Sequence, residues 1–193
     1  MTDLFDHILP QPEGSPRPGN LLIADPFLKD PNFSRSVILL CEHQENGSFG
    51  FMVNKLTSHH LEELNPGSGL YTPVYFGGPV QLDTLHFIHK YPDLFEGCMK
   101  IADGVFWGGD FDTAVKAILS GRIKPGGIKF FMGYAGWESG QLNEEFRERS
   151  WILSKPRKRI IFGHTDDAWE ESLRSLGKKF ALLANFPLDP SLN

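Results

Sequence analysis

The sequence predicts an α+β fold, and three observations carry that reading. Strand-like segments come in clusters and do not alternate strictly with helices. Asn46-Gly47 follows an apolar, β-branched run, a strong hairpin signal because both residues tolerate positive φ. A chain of 193 residues, 40% hydrophobic and 22% charged, can be served by a single core, and no linker-like stretch divides it. Residues 1–18 read as an extended N-terminal arm, rich in proline and glycine from Gln11 onward, and residues 19–193 as one domain.

The elements follow in order. Met1 to Leu9 can form a short helix before the arm. Leu21 to Ala24 is a short apolar run, and a turn spans Asp25 to Asn32. Ser36 to His43 is apolar enough for a strand buried on both faces, and Phe49 to Asn54 returns as its hairpin partner. Leu61 to Leu64 is a helical turn. Strands are expected at Val74 to Phe76 and Leu85 to His89, with weaker ones at Cys98 to Ala102 and Val105 to Trp107. Phe111 to Ser120 is the first clear helix: Asp110 or Asp112 caps it, Phe111, Ala114, Val115, Ile118 and Leu119 make one apolar stripe, and Gly121 stops it. Ile128 to Met132 is a strand and Leu142 to Arg149 a short polar helix. Trp151 to Leu153 and Arg159 to Phe162 are read as strands. A last helix starts at Thr165 with Trp169, Leu173 and Leu176 inward, weakening at Gly177 before a surface tail from Asn185.

Composition excludes several classes of function. A net charge of -5 gives no overall attraction to nucleic acid or anionic lipid. The longest apolar runs are about five residues, against the roughly 20 that cross a bilayer, so no membrane partner is expected. Cys41 and Cys98 make one bridge at most, which rules out a disulfide scaffold or a four-cysteine zinc site. The N-terminus lacks a basic start and an apolar signal core, so the expected location is cytoplasmic, with both thiols free. The glycine clusters Gly77-Gly78, Gly108-Gly109 and Gly133 to Gly136 match neither a phosphate-binding loop nor a dinucleotide fingerprint, and no cofactor is expected. His86 and His89 would face opposite sides of a strand, so no metal site is expected either.

One constellation has the residue types of a site. Strand alternation puts Arg35, Cys41 and His43 on one face and Glu42 on the other. With Asn46-Gly47 as a two-residue turn, His43 pairs with Gly50, Cys41 with Met52 and Leu39 with Asn54, so Asn54 joins that face and Gly50 leaves room beside His43. Arg35, His43 and Asn54, facing a shallow pocket near Gly77 and Gly78, suit a small anion. The competing structural reading pairs Arg35 with Asp25 or Asp30 to pin a turn, makes Cys41 a small core residue, and lets His43 mark where the strand reaches water. The run Lys155-Pro156-Arg157-Lys158-Arg159 lies between two expected strands. It reads as a solvated loop, with weak nucleic-acid contact as the alternative.

The order of several short motifs is similar to the AlgH/YqgE family of bacterial proteins. They are GNLLIADP at 19–26, FSRSVILLCEH at 33–43, GFMVN at 50–54, FGGPV at 76–80, GYAGW at 133–137 with Gln141-Leu142, and Trp151. The resemblance covers the chain from Gly19 onward. It implies a bacterial cytoplasmic protein with a bifurcated, mostly antiparallel sheet wrapped into a pseudo-barrel, helices packed outside. Members are often labelled putative transcriptional regulators, and the resemblance brings no catalytic residue and no cofactor. Three functions follow as expectations. The first is a non-enzymatic regulatory protein acting through a small anion or a protein partner. The second is an enzyme using the Arg35/Cys41/His43/Asn54 face. The third is weak nucleic-acid binding through residues 155–159, without specific DNA recognition.

Overall fold

The structure, a computed structural model, describes residues 14–163 and 166–185. The expected helix over 1–9, the cap at Thr165 and the tail beyond residue 185 lie outside them. In chain order the elements are β1 (Leu21–Ala24), β2 (Val37–Gln44), β3 (Gly47–Met52), β4 (Leu56–His60), α1 (Leu61–Leu64), β5 (Pro73–Phe76), β6 (Val80–His89), β7 (Met99–Ala102), β8 (Val105–Trp107), α2 (Phe111–Leu119), β9 (Ile128–Glu138), α3 (Gln141–Arg147), β10 (Trp151–Ser154), α4 (Lys158–Phe162), α5 (Ala168–Arg174) and α6 (Lys178–Leu183).

The strands form one ten-stranded sheet in the order β10-β1-β2-β3-β9-β6-β8-β7, with β5 paired to β9 and β4 to β5. All pairings are antiparallel except β5 with β9. The sheet forks along β9. Its first half lies beside β5, with Val74 opposite Phe130 and Phe76 opposite Met132. Its second half lies beside β3, with Gly47 opposite Glu138 and Gly50 opposite Ala135. The fork is at Gly133, where Gly77 and Gly78 cross β9. A Cβ on Gly77 would collide with the Gly133 carbonyl, and one on Gly78 with the Tyr134–Ala135 backbone. Gly77 also bonds to both arms: its carbonyl accepts from Met52 N–H (2.8 Å) and its N–H donates to Met132 (2.9 Å). These glycines are there because main chains meet.

The sheet curls without closing. Trp137 of β9 and Trp151 of β10 are four strand positions apart, about 19 Å in a flat sheet, yet their ring centroids are 6.0 Å apart. On one face Leu22, Ile38, Leu40, Ala135, Trp137 and Trp151 are buried under Leu142 of α3. On the other, Leu21, Leu39, Phe51 and Phe131 pack with Ile101 of β7 and with Ile160, Trp169 and Leu183 of the C-terminal helices. A third cluster buries Ala114 and Ala117 of α2 against Phe87 and Phe130.

Most expected elements are present. α2 is capped as anticipated, with Asp110 accepting from Thr113 N–H at 2.8 Å, and the chain turns at Gly121 (φ +72°). The segment 158–162 is a helix where a strand was expected. β10 already pairs with β1 alone, and Ile160, Ile161 and Phe162 become a buried helical face. Residues 155–157 therefore lead into α4, Lys158 and Arg159 form its first turn, and the run does not join two strands. β4 and α6 had no clear sequence signal, because β4 is exposed apart from Thr57 and α6 buries only Leu183.

Candidate functional site

The expected face does not assemble. Arg35 sits at φ +50° just before β2, its guanidinium 3.1 Å from Glu170 of α5 and 4.8 Å above the Trp169 ring. The structural role therefore holds with Glu170 as the partner, not Asp25 or Asp30. Asn54 is a main-chain clamp: its side chain accepts from Val37 N–H (2.8 Å) and donates to the Arg35 carbonyl (2.9 Å). His43 lies at the other end of β2, roughly 20 Å along the strand from Val37, with Nδ1 2.7 Å from Ser48 Oγ. Cys41 is 2% exposed, and burial pushes its thiol far up, so it stays protonated. Arg35 and Asn54 meet, and the Gly77-Gly78 crossing bonds the chain at Met52, two residues from Asn54, while His43 lies at the far end of β2.

Two local features explain the difference. The turn residues are Glu45 and Asn46, and Gly47 already belongs to β3. His43 therefore pairs with Ser48, not with Gly50. Gly50 leaves no room for a ligand, since a Cβ there would strike the Leu39 carbonyl. The ladder also shifts between Leu40 and Glu42. Two residues, Cys41 and Glu42, oppose the single Phe49, which is the arrangement of a β-bulge. Cys41 stays in the core with Leu39, and Glu42 is carried to that same face beside Phe49. His43 is turned to the other.

The face that carries Glu42 and Phe49 opens into a cavity of about 750 Å³, within the range of small-molecule sites. Its aromatic walls are Phe49 and Phe51 of β3, His86 of β6, Trp107 of β8 and Tyr134 of β9. Phe49 meets Trp107 at 4.8 Å and 61° and Tyr134 at 6.1 Å and 80°, and His86 meets Tyr134 at 6.0 Å and 88°. The ring planes thus turn from wall to wall and do not stack in one direction. Gly136 lies opposite Phe49 in the register and keeps the floor low. A Cβ there would come within 3.1 Å of the Tyr134 ring. Burial lowers the His86 pKa, so the ring is neutral at pH 7, and its Nε2 is 2.9 Å from Thr84 Oγ1. The charged residues lining the cavity are Glu42 and Glu138. The indole N–H of Trp107 is shielded from water and has no acceptor.

The sequence reading missed this site, since its residues come from five separated segments. The glycine cluster at Gly133 to Gly136 stands out in the sequence but matches no ligand-binding motif. A second cavity of about 460 Å³ is lined by Tyr71, Tyr75, Lys129 and Phe162, among others. Lys129 is 4% exposed, and its ammonium donates to the Val53 (2.9 Å) and Gly163 (2.8 Å) carbonyls 4.1 Å from the Tyr75 ring centre. These contacts tie β9 to the chain after β3 and after α4. Burial lowers its pKa to about 7. No group of three or more metal-ligating side chains occurs among the described residues, and no helix among them is long and apolar enough to cross a membrane.

A forked, curled sheet with an aromatic cavity beside its fork defines an α+β protein with a built pocket. The chain belongs to the AlgH-like family (DUF179), whose model matches residues 21–181. It is 44% identical over 179 residues to a UPF0301 protein of Chlorobium limicola, covering 92% of this chain and 96% of that one. It is 39% identical over 183 residues to a UPF0301 protein of Bacteroides thetaiotaomicron, covering 92% of each. The solution structure of the AlgH protein from Pseudomonas aeruginosa matches with a TM-score of 0.71 and 27% identity, over 91% of this chain and 97% of that one. A crystal structure of a Corynebacterium diphtheriae protein shares the fold with a TM-score of 0.76 at 22% identity, over 95% and 98% of the two chains.

Proposed function

We propose that this protein is a non-enzymatic regulatory protein of the bacterial cytoplasm, and that it works by holding a small organic ligand in the aromatic cavity. The observation that carries the reading is the bulge at Cys41–Glu42. Such irregularities bend a strand and re-aim a side chain, and this one places a carboxylate in an aromatic-walled pocket of ligand size. The enzyme reading loses its support, because its thiol is buried and its histidine and arginine are at opposite ends of β2. The basic run favours nucleic acid no better. Lys158 faces Asp103 at 3.7 Å and Arg159 faces Glu171 at 3.3 Å, so two of its four cations already have acidic neighbours.

The test is a thermal-shift screen of a metabolite collection against the native chain and Gly136→Val, which fills the cavity floor. A ligand of the native fold raises apparent stability by mass action. Compounds that stabilise the native chain and not Gly136→Val support the reading. A collection that stabilises neither, or both equally, overturns it.

A further inference from the structure

We propose that the ligand of the aromatic cavity is an organic cation, a quaternary or alkylated ammonium group. This rests on the pocket reading above and adds the charge and chemical class of what enters it.

Three observations converge. Trp107, Tyr134, Phe49 and Phe51 wall the cavity with their planes set at steep angles to one another. Aromatic faces carry negative potential, and a cation placed among several of them is attracted to each. The charged side chains lining the cavity are Glu42 and Glu138, and no lysine or arginine lines it among the described residues. The one basic ring there, His86, is kept neutral by burial and sits in the aromatic cluster, 5.3 Å from Phe51 and 6.3 Å from Trp107. A small anion would thus meet two carboxylates and ring faces with no full positive charge to pair with. A neutral ligand would gain the apolar contact but leave the carboxylates unused. An alkylated ammonium gains both: its alkyl groups meet the ring faces and its charge meets the carboxylates. The register makes the assignment specific to this fold. Without the bulge, strand alternation would put His43 on this face and Glu42 on the other.

The experiment is an NMR titration of the full chain with three probes: choline, its uncharged isostere with carbon in place of nitrogen, and benzoate. Choline is expected to shift the Trp107 indole and Tyr134 ring signals and to bind roughly tenfold more tightly than the isostere, the scale of a partly desolvated cation–π contact. Glu42→Gln, at a half-buried position that tolerates an amide, is expected to weaken choline about fivefold and leave the isostere unchanged, as loss of one charge partner would. Equal binding of choline and the isostere, or tighter binding of benzoate, overturns the cation assignment and leaves the pocket reading standing. If choline does not bind while metabolites from the screen do so in a Gly136-dependent way, the cation class is wrong and the site is right. If neither choline nor any metabolite binds, both readings fall together.

Discussion

Glu145 offers the sharpest test of what holds the curl of the sheet. Its Oε2 accepts from the indole N–H of Trp137 at 2.8 Å and from that of Trp151 at 2.7 Å, and its Oε1 accepts from the Gln141 amide at 2.9 Å. One carboxylate on α3 thus joins the far end of β9 to the start of β10. Trp151 is 2% exposed and Trp137 6%, so neither indole N–H has ready access to bulk water. Glu145→Ala removes both acceptors at once. Hydrogen bonds to a charged group contribute about 1.5–3 kcal/mol each, and a buried donor left alone costs about 1–3 kcal/mol. The two bonds share one oxygen, and the truncated side chain admits some water, so the lower end applies: about 3 kcal/mol in total. For a chain of this length that is a fall in Tm of about 6–12 °C.

Glu145→Gln keeps one acceptor oxygen and the shape, so its loss should stay near 1 kcal/mol. Urea titration followed by tryptophan fluorescence reads both variants, because two of the four tryptophans report on the hub directly. A loss under about 1 kcal/mol for Glu145→Ala, with an unchanged urea slope, would refute the claim that this carboxylate ties the two strands.

Three further outcomes are expected. Gly78→Ala should fail to reach the native fold or lose more than about 3 kcal/mol, because its Cβ meets backbone at the fork; Gly97→Ala, at φ +71° with open space around it, should lose only about 1–2 kcal/mol. Comparing urea midpoints of the two variants decides this. Stability should rise with pH between about 7 and 10.5 through Lys129, since its folded pKa lies below the unfolded value and the unfolded chain binds more protons across that window. Lys129→Met should flatten the slope, and an identical slope in both proteins counts against the lowered pKa. Arg35→Ala should cost about 1–3 kcal/mol, and a double-mutant cycle with Glu170→Ala should show coupling of at least about 0.5 kcal/mol. Simple additivity would mean that the pair contributes nothing.

Sequence periodicity reveals what depends on local burial. The strands around Leu39 and Phe131, the helix capped by Asp110 and the hairpin at Asn46 were all legible, because each is specified by neighbours within a few residues. Residues 158–162 were not, since a short apolar run fits a buried strand and a buried helical turn equally. Only the pairing of β10 with β1 on its single partnered edge decides between them. The glycines of the fork were visible as glycines, but their reason is contact between β9 and the 77–78 crossing, more than fifty positions apart. The family resemblance supplied the bifurcated sheet; periodicity did not.

The candidate site shows the same limit at the scale of one residue. Alternation is a parity rule, so a single inserted position reverses every assignment beyond it. The run from Val37 to Leu40 obeys the rule, and both faces of it are buried as expected. Beyond Cys41 the rule inverts: Glu42 takes the face that parity gives to His43. A histidine replaced by a carboxylate changes the ligand that the site would hold, from the anion expected of Arg35, His43 and Asn54 to the cation proposed for the aromatic cavity. The bulge has no signature of its own in VILLCEHQ; it is seen only in the register of β2 against β3, which β9 flanks on its far side. The chemistry of this pocket is therefore set by strand register, and register is decided by the partner strands.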